Sequence, residues 1–537
     1  MKKFMLLMLA AVLCTAAFAA PRKDKLDEQA LRTMKTATEY MMNTVGYNGG
    51  FVWAYLPDLS RQWGEMEAYR TMAWVQSGTP QVGNIMLDAY HATGDEYYYQ
   101  CAERVAASLI RGQLECGGWN YCYDYAGEAS LRQWYETVGK NGWRLEEFQH
   151  YYGNATFDDS STTDAAKFIL RIYAEKFDPK YRPALDKAIA FVLESQYPIG
   201  GWPQRYPLRF DHPFQGNKDY SSFITLNDDV IPQCTDFLLQ CYQVLGLPEA
   251  KGAILRAMYC IILLQQGEPY AGWADQYTVE DLKPAPARSY EPLGLGSHTT
   301  VAMCRQLMKF YTLTGDSRFL TGIPAAFRYL ESQKLSKEEV AKTGRVQPDG
   351  YDRFYAPLFF NYITKQPQYV HRVGSNVQNG HYYADQDITN TIVHYGNFSP
   401  MIDLKSLRDQ YERILATPVE ELTKDSPLLS TGYHPLAQYY TLRADQGSDP
   451  DALSGAAAEV IGSLTKEGYW LSPIRNTSNP YQPYEDRTPS TETKYCSTNV
   501  GDQYDTSCYE TDEMGITTRD FINKMGTLIR YHLSVQP

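Results

Sequence analysis

Two acidic segments of the sequence carry closely spaced carboxylate and amide oxygens. Asp159 lies in the run of residues 157–163, and Asn227, Asp228 and Asp229 form a triplet just before a predicted helix. Asp and Asn also begin helices well, because their side chains accept hydrogen bonds from the first free N–H groups. Capping explains the first segment when it is taken alone. The triplet exceeds what one cap requires, and since Ca²⁺ takes about six to eight oxygen ligands, it predicts a calcium site.

Two arginines lie among aromatic residues further along the chain. Arg288 precedes Tyr290, and Arg353 precedes Tyr355, by two residues in each case. A guanidinium group can hold a carboxylate through two parallel hydrogen bonds while nearby rings stack on a sugar. A single arginine in such a setting can equally be a structural ion-pair partner. The aromatic content of 14%, with 44 tyrosines, fits either a sugar-binding surface or a large aromatic core.

Composition and the first residues restrict the class of protein. The 537 residues are 44% hydrophobic and 21% charged, which is typical of globular proteins and excludes disordered, collagen-like and polytopic membrane chains. A formal net charge of −13 argues against a nucleic-acid binder, because phosphate binding needs a basic surface. Residues 1–19 have a basic start, a short apolar run and a cleavage signature at Ala17, Phe18 and Ala19. We therefore expect a secreted or periplasmic monomer with a cleavable signal peptide and no membrane span.

A repeated unit dominates the predicted secondary structure. Two apolar helices joined by a short turn are followed by a Gly-Trp pair at Trp119, Trp202 and Trp273, with a degenerate copy ending at Trp470. A helical hairpin cannot bury its apolar stripe alone, so neighbouring copies must cover one another. The sequence predicts an all-α protein, an α/α toroid of helical hairpin repeats with long irregular rim loops. A helical solenoid is the alternative, but long irregular loops are more typical of enzyme rims.

The stretch of residues 157–399 resembles the family 10 polysaccharide lyases, which are pectate lyases. Its most specific marks are the tryptophan motif of residues 196–208 and the triplet of residues 227–229. The segments around Arg288 and Arg353 follow in the family's order, with weaker marks at residues 157–163 and at Tyr395. The resemblance covers just under half of the chain. We therefore divide the chain into a signal peptide (1–19), a lyase-like toroid (20–415) and a C-terminal helical and loop segment that closes the toroid (416–537).

The resemblance implies a pectate-lyase-like enzyme that cleaves polygalacturonate by β-elimination with Ca²⁺. Loss of the C5 proton places charge on the neighbouring carboxylate, which a bridging cation stabilises. The resemblance makes Arg353 the base, and since an arginine pKa lies above about 12, the reaction must favour alkaline conditions. The metal ligands it implies are Asp228, Asp229, Asp275 and Asp159. The substrate-binding residues are Arg288, Arg205, Trp202, Tyr290, Tyr355, Arg372 and Tyr395.

The sequence departs from the family pattern at one expected calcium ligand. Thr278 stands where family members carry an aspartate, and Asp275, three residues earlier, is the substitute that the sequence offers. A histidine that the family carries before the triplet is replaced by Phe223. Loss of one ligand weakens the predicted calcium site.

Two other functions fit the same residues. A glycoside hydrolase on this toroid would use two acids, such as Asp228 and Glu291, as proton donor and base. A non-catalytic binder of pectic chains would keep Arg353 and the aromatic residues for contact alone. The first alternative predicts saturated products, and the second predicts binding without any product.

Overall fold

The computed structural model describes residues 25–141, 146–213, 218–373, 381–389, 391–392, 395–396, 401–430, 434–442, 450–474 and 514–536. The predicted signal peptide lies outside these residues. Within them, no helix combines the length and the apolar character needed to cross a membrane.

Helices make up most of the regular structure. In chain order they are α1 (Lys25–Tyr40), α2 (Thr79–Thr93), α3 (Glu96–Gly112), α4 (Glu128–Thr137), α5 (Glu146–Gln149), α6 (Ser161–Lys176), α7 (Arg182–Glu194), α8 (Val230–Leu245), α9 (Pro248–Leu264), α10 (Ser297–Thr314), α11 (Arg318–Thr321), α12 (Ile323–Ser332), α13 (Lys337–Ala341), α14 (Leu404–Ala416), α15 (Val419–Thr423), α16 (Pro450–Gly462) and α17 (Thr518–Ser534).

These helices pack as hairpins around a ring, and the predicted all-α toroid is confirmed. Helices α2, α6 and α8 are successive inner neighbours, and α3, α7 and α9 pack outside them as the second members of their hairpins. Helix α10 continues the inner ring, because Lys309 pairs with Asp236 on α8. Helix α14 packs on α10, while α17 packs on both α1 and α2. Their shared apolar surfaces form one continuous core.

The tryptophan corners are a repeated structural device. Each indole N–H donates to a main-chain carbonyl in the preceding outer helix: Trp119 to Leu109 (2.7 Å), Trp202 to Val192 (2.8 Å), Trp273 to Ile261 (2.8 Å) and Trp470 to Val460 (3.0 Å). Trp202 is 0% exposed. Its ring packs in the core and cannot stack on a sugar, so the prediction that Trp202 binds substrate is wrong.

A glutamine before each of the first three corners joins neighbouring hairpins. Gln196 donates from Nε2 to the carbonyls of Gly200 and of Ala253 on the next outer helix, at 2.9 Å each. Gln113 and Gln265 make the equivalent pairs of bonds. At Gly200 the backbone has φ +111°, and a Cβ atom would lie 2.2 Å from the main-chain oxygen of Arg256. Only glycine fits where two segments of the backbone approach each other so closely.

Short strands gather in the connecting loops. They are β1 (Ala54–Tyr55), β2 (Gln62–Trp63), β3 (Glu67–Ala68), β4 (Met72–Trp74), β5 (Cys122–Asp124), β6 (Ala155–Thr156), β7 (Arg205–Tyr206), β8 (Ile224–Thr225), β9 (Trp273–Ala274), β10 (Gln276–Tyr277), β11 (Pro284–Ala285), β12 (Leu295–Gly296), β13 (Arg353–Phe354), β14 (Phe359–Asn361), β15 (Gln366–Val373), β16 (His381–Asp385), β17 (Ile402–Asp403), β18 (Ser472–Pro473) and β19 (Met514–Thr517). The strand orders are β18-β19-β1-β2-β3, β11-β10-β8, β16-β15-β14-β12-β9, β13-β17, β4-β5 and β6-β7, with antiparallel pairing.

The strands mark one end of the toroid as its rim. Strands β4, β6, β8, β12 and β17 come directly or within a few residues before the inner helices α2, α6, α8, α10 and α14. Most of their partners come from the loops that follow the tryptophan corners. The rim therefore holds the N-terminal ends of the inner helices.

The opposite end carries a buried ion pair. Asp88 on α2 accepts a hydrogen bond from Arg171 Nη2 on α6 at 2.6 Å, and both side chains are at most 1% exposed. Asp88 also accepts bonds from the main-chain N–H groups of Tyr440 and Thr441. Residues 434–442 of the C-terminal segment thus cover this end of the inner helices.

Candidate active site

One backbone turn recurs at the start of three inner helices. A main-chain N–H donates to the carbonyl two residues after a tryptophan corner: Val75 to Tyr121 (2.7 Å), Phe157 to Gln204 (2.8 Å) and Leu226 to Asp275 (2.8 Å). Two residues later the chain enters the left-handed region, at Ser77 (φ +47°), Asp159 (+46°) and Asp228 (+51°). A residue other than glycine costs about 1–3 kcal/mol in this region, and such strain clusters at functional sites. The repeat therefore places Asp159 and Asp228 in equivalent positions on adjacent hairpins.

Three carboxylates meet between these two turns. One oxygen each from Asp158, Asp159 and Asp228 lies within 4.8 Å of the others. Asp158 is buried, Asp228 is partly buried and Asp159 is exposed at the rim. We call these three residues the acidic cluster. The cluster therefore extends from the core to the solvent.

Arg288 is the counter-ion of the acidic cluster. Its Nη2 atom donates to Asp228 at 2.8 Å and to Glu291 at 2.7 Å, and its Nε atom donates to Glu291 at 2.9 Å. Its Nη1 atom lies 3.6 Å from Asp158. Burial disfavours the charged guanidinium, but Glu291 and the other surrounding groups, with Asp228 among them, keep the pKa of Arg288 well above its ordinary value. The arginine is therefore a fixed, permanent positive charge.

The three carboxyl groups have different proton affinities. Burial alone raises the pKa of Asp158, but the charge of Arg288 and hydrogen bonds bring it below its ordinary value. Burial and the charge of Asp158 raise the pKa of Asp228 well above its ordinary value. Although part of Asp159 reaches solvent at the rim, its carboxyl group lies close to the other acids inside the protein, and the same two causes raise its pKa to about 7. Without a cation the cluster therefore keeps protons, and a divalent cation would displace them.

Helix α5 holds the Arg288 loop from the other side. Glu146 accepts hydrogen bonds from the main-chain N–H (2.8 Å) and the hydroxyl of Ser289. Glu147 accepts a bond from the Tyr290 hydroxyl at 3.0 Å. Tyr290 is buried, and its ring centroid lies 5.4 Å from that of Tyr395. Tyr290 thus packs beneath the Arg288 loop, on its buried side. The hydroxyl of Tyr395 accepts a hydrogen bond from Arg288 Nη2 at 3.3 Å.

Two of the predicted metal ligands are not in the cluster. Asp229 is exposed next to Asp228 but does not belong to the group of converging oxygens. Asp275 contributes its main-chain carbonyl to the turn, whereas its carboxylate accepts a bond from Thr299 and lies 3.5 Å from His298. The structure brings Asp159 and Asp228 together and adds Asp158.

The position of Thr278 is also away from the cluster. The hydroxyl of Thr278 bonds to Asp281 and accepts from the N–H of Lys283 in a turn after β10. The departure from the family pattern at this position therefore removes no side chain from the group formed by Asp158, Asp159 and Asp228.

Arg353 lies on the rim but outside the acidic cluster. Its side chain is 63% exposed, and its Nε atom lies 3.7 Å from Asp403. Strand β13, which carries it, pairs with β17 at the start of α14. Arg408, one turn into α14, bonds to Glu331 at the C-terminal end of the outer helix α12, so the start of α14 is at the rim. Among the described residues, no hydrogen bond or ion pair joins Arg353 to the cluster.

Arg205 is buried behind the cluster. It is 1% exposed, and its guanidinium lies over the rings of Tyr152 (4.5 Å) and Tyr121 (5.1 Å). Its Nη1 atom donates to Asn120 at 3.2 Å. Tyr121 in turn donates to Asp158. Because Arg205 is 1% exposed, it cannot contact a polysaccharide, and the prediction that it binds substrate is wrong.

Two further predicted contacts remain apart from the cluster. Tyr355 packs against Leu335, Val340 and Tyr369, and its N–H donates to Gln347. The main chain of Arg372 lies in β15 opposite Tyr382, and its side chain is outside the described residues.

Sequence reasoning missed the residues that complete the site. Asp158 is the middle residue of the repeated turn at residues 157–159. Recognition of this repeat would have drawn attention to Asp158 as well as to Asp159. Gln76, which donates to Asp159, occupies the equivalent turn before α2. Glu146 and Glu147 lie in no motif, and nothing in their local sequence points to the Arg288 loop.

The chain was compared with a family model, with curated proteins and with solved structures. Residues 129–372 match the family model described as pectic acid lyase. No curated protein matches the chain. Among solved structures, a mutant family 10 polysaccharide lyase from Cellvibrio cellulosa in complex with trigalacturonic acid is 18% identical and covers 63% of this chain and 99% of its own, with a TM-score of 0.41. An inactive variant of an α-1,6-mannanase from a Salegentibacter species is 10% identical and covers 60% and 78%, with a TM-score of 0.32.

The family match contains the acidic cluster, Arg288 and Arg353. The segment of the chain that holds the site, somewhat under half of its length, is therefore similar to the pectic acid lyases. The predicted resemblance to the family 10 polysaccharide lyases, as a divergent relative, is confirmed.

Proposed function

We propose that this protein is an exported pectate-lyase-like enzyme that cleaves polygalacturonate by Ca²⁺-assisted β-elimination. The observation that carries the proposal is the convergence of Asp158, Asp159 and Asp228 within 4.8 Å, beside Arg288 and inside the pectic acid lyase match. A uronate polymer is the natural substrate for such a site, because its carboxylates can bind a cation and acidify the neighbouring C5–H bond.

The acidic cluster fits a calcium ion by the chemistry of its donors. All three side chains offer hard oxygen ligands, which Ca²⁺ prefers. The Oδ1 atom of Asp158 is buried and has no partner among the described residues, although buried carboxylate oxygens are normally bonded. A bound calcium ion would supply positive charge to stabilise the substrate carboxylate as the C5 proton leaves.

Two arginines have separate roles in the proposed reaction. Arg288 fixes the orientation of Asp228 and holds Asp158 ionised, so the cluster keeps its shape. Arg353 is the proposed base, since it is solvent-exposed on the same rim and can approach a bound polymer. The neutral guanidine of Arg353, formed under alkaline conditions, would take the C5 proton, and the departing O4 oxygen would take a proton from water, which leaves a double bond between C4 and C5.

The hydrolase alternative is disfavoured by one contact. Both carboxylate oxygens of Glu291 accept hydrogen bonds from Arg288. The Nη2 atom of Arg288, which is one of the donors, also bonds to Asp228. A general acid or base needs an oxygen free to exchange a proton with the substrate or water. The pair Asp228 and Glu291 therefore serves the ion-pair network.

The test is an ultraviolet assay on polygalacturonate at alkaline pH, with calcium and with excess chelator. The proposal expects absorbance from the unsaturated product with calcium and its loss with chelator. Saturated reducing ends would indicate a hydrolase, and retention on the polymer without any product would indicate a binder. Either result would overturn the lyase assignment.

A further inference from the structure

A small cavity adjoins the acidic site on the far side of the Arg288 loop. It has a volume of about 200 Å³ and lies between residues 286–293 and the hairpin of β15 and β16. Ligand pockets for larger molecules measure about 300–1,000 Å³, so this space suits one ring rather than a chain segment. Arg288 lines the cavity and also bonds to Asp228, so the two spaces share a wall.

One tyrosine in the wall is held as a rigid platform. Tyr383 lines the cavity and is 46% exposed, which places it at the mouth. Its ring stacks on His371, with centroids 5.0 Å apart and planes 20° apart. His371 is fixed in turn by Asp385, which lies 3.0 Å from its Nε2 atom. A ring already held in one orientation loses little conformational freedom when a sugar face stacks on it, so Tyr383 is preorganised for such a contact.

The charged groups of the cavity neutralise each other. Arg288 and Glu291 are its charged lining residues, and three hydrogen bonds join them. The rest of the wall is formed by prolines, tyrosines and small or aliphatic residues, with Leu293 and Tyr382 among them. A carboxylate entering this space would meet Glu291 and no unpaired cation among the lining residues, so an uncharged ligand is favoured.

We infer that this cavity binds one uncharged sugar unit, a methyl-esterified uronate, next to the uronate held at the acidic cluster. The inference rests on the proposed function, because the polymer at the cluster is what brings the neighbouring unit to the cavity. It makes partially esterified pectin a better substrate than fully de-esterified polygalacturonate of equal length.

The test compares kcat/KM on these two polymers for the wild type and Tyr383→Ala. We expect the wild type to favour the partially esterified polymer. Loss of one stacking platform should lower kcat/KM on that polymer about tenfold, and on polygalacturonate by less than about twofold. Ala384→Phe, which narrows the mouth, should act in the same direction. Tyr259→Ala, on the outer helix α9, is the matched control and should leave both values unchanged.

A binding measurement separates this inference from the lyase proposal. Electrophoresis through gels that contain partially esterified pectin reports affinity without turnover. If Tyr383→Ala weakens retardation while no variant forms product, the cavity assignment stands and the lyase proposal fails. An equal effect of Tyr383→Ala on both polymers, or no effect on either, would overturn the inference, and so would absence of retardation and product in the wild type.

Discussion

The Nη2 atom of Arg288 lies 2.8 Å from the carboxylate of Asp228, and this contact joins the loops of two neighbouring hairpins. The arginine is 4% exposed. It balances carboxylates from four different segments of the chain, which are those of Glu147, Asp158, Asp228 and Glu291. The site is therefore preorganised by an ion-pair network before any cation or substrate binds.

Replacement of Arg288 should damage both the fold and the activity. Arg288→Met leaves several buried carboxylates without their counter-ion, so we expect the free energy of unfolding to fall by about 3–5 kcal/mol. Denaturant unfolding at constant pH measures this change. Arg353→Ala is the matched control for stability, because an exposed side chain should change it by no more than about 0.5 kcal/mol. Equal losses of stability in the two variants would contradict the network.

Arg353→Ala should lose activity while it keeps the fold. If Arg353 takes the C5 proton, kcat should fall by a factor of about 100 or more, as for loss of a general base. Arg353→Lys should not restore the rate, because lysine lacks the planar guanidinium. Steady-state kinetics on polygalacturonate provides the measurement. A variant with normal kcat would remove Arg353 from the mechanism.

Calcium should distinguish two adjacent aspartates from each other. At a calcium concentration of 100 times the dissociation constant, the wild type should gain about 2.7 kcal/mol of stability. Asp159→Asn removes one of the three converging carboxylates and should lose most of this gain. Asp229→Asn changes an exposed residue outside the group and should keep it. Thermal unfolding with and without calcium tests the pair, and identical behaviour of both variants would contradict the site.

The raised pKa of Asp159 predicts a pH dependence of stability without calcium. The folded chain holds this proton up to about pH 7, whereas an unfolded aspartate releases it near pH 4, at a pKa of about 3.9. The contribution is therefore complete below about pH 4 and is lost as the pH rises through about 7. Asp159→Asn should show a smaller fall in stability between pH 5 and 8 in chelator. Urea unfolding at the two pH values measures it, and equal slopes in both proteins would contradict the assignment.

Trp202 should behave as a structural residue. Trp202→Phe removes the indole bond to Val192 and leaves a gap in the core, so we expect a loss of about 1–3 kcal/mol in unfolding free energy. KM for polygalacturonate should stay the same. A raised KM with unchanged stability would restore Trp202 as a substrate contact.

The fold was accessible from the sequence because its determinants are local and repeated. A glutamine and a Gly-Trp pair follow the outer helix in three copies, and the glutamine and the tryptophan make the same bonds in each. The degenerate copy at Trp470 lacks the glutamine but keeps the indole bond, to Val460. Repetition therefore revealed the architecture without any knowledge of long-range contacts.

The site was only partly accessible for the opposite reason. Asp159, Asp228 and Arg288 were found because they lie in compact motifs, but their partners come from distant loops. Glu147 is 141 residues from Arg288 in sequence and lies 3.7 Å from it in space. Burial was equally invisible, so Trp202 and Arg205 were assigned to a surface from which the fold removes them. Motif type indicates the chemistry, and three-dimensional packing decides which side chains are available to perform it.

The mass of the products tests the central claim most directly. The protein is incubated with a short galacturonate oligomer and calcium at alkaline pH, and the masses of the fragments are measured by mass spectrometry. β-Elimination splits the oligomer without adding water, so the masses of the two fragments sum to that of the substrate, and Asp159→Asn should form far less of both. Fragments that together carry one additional water would contradict the account.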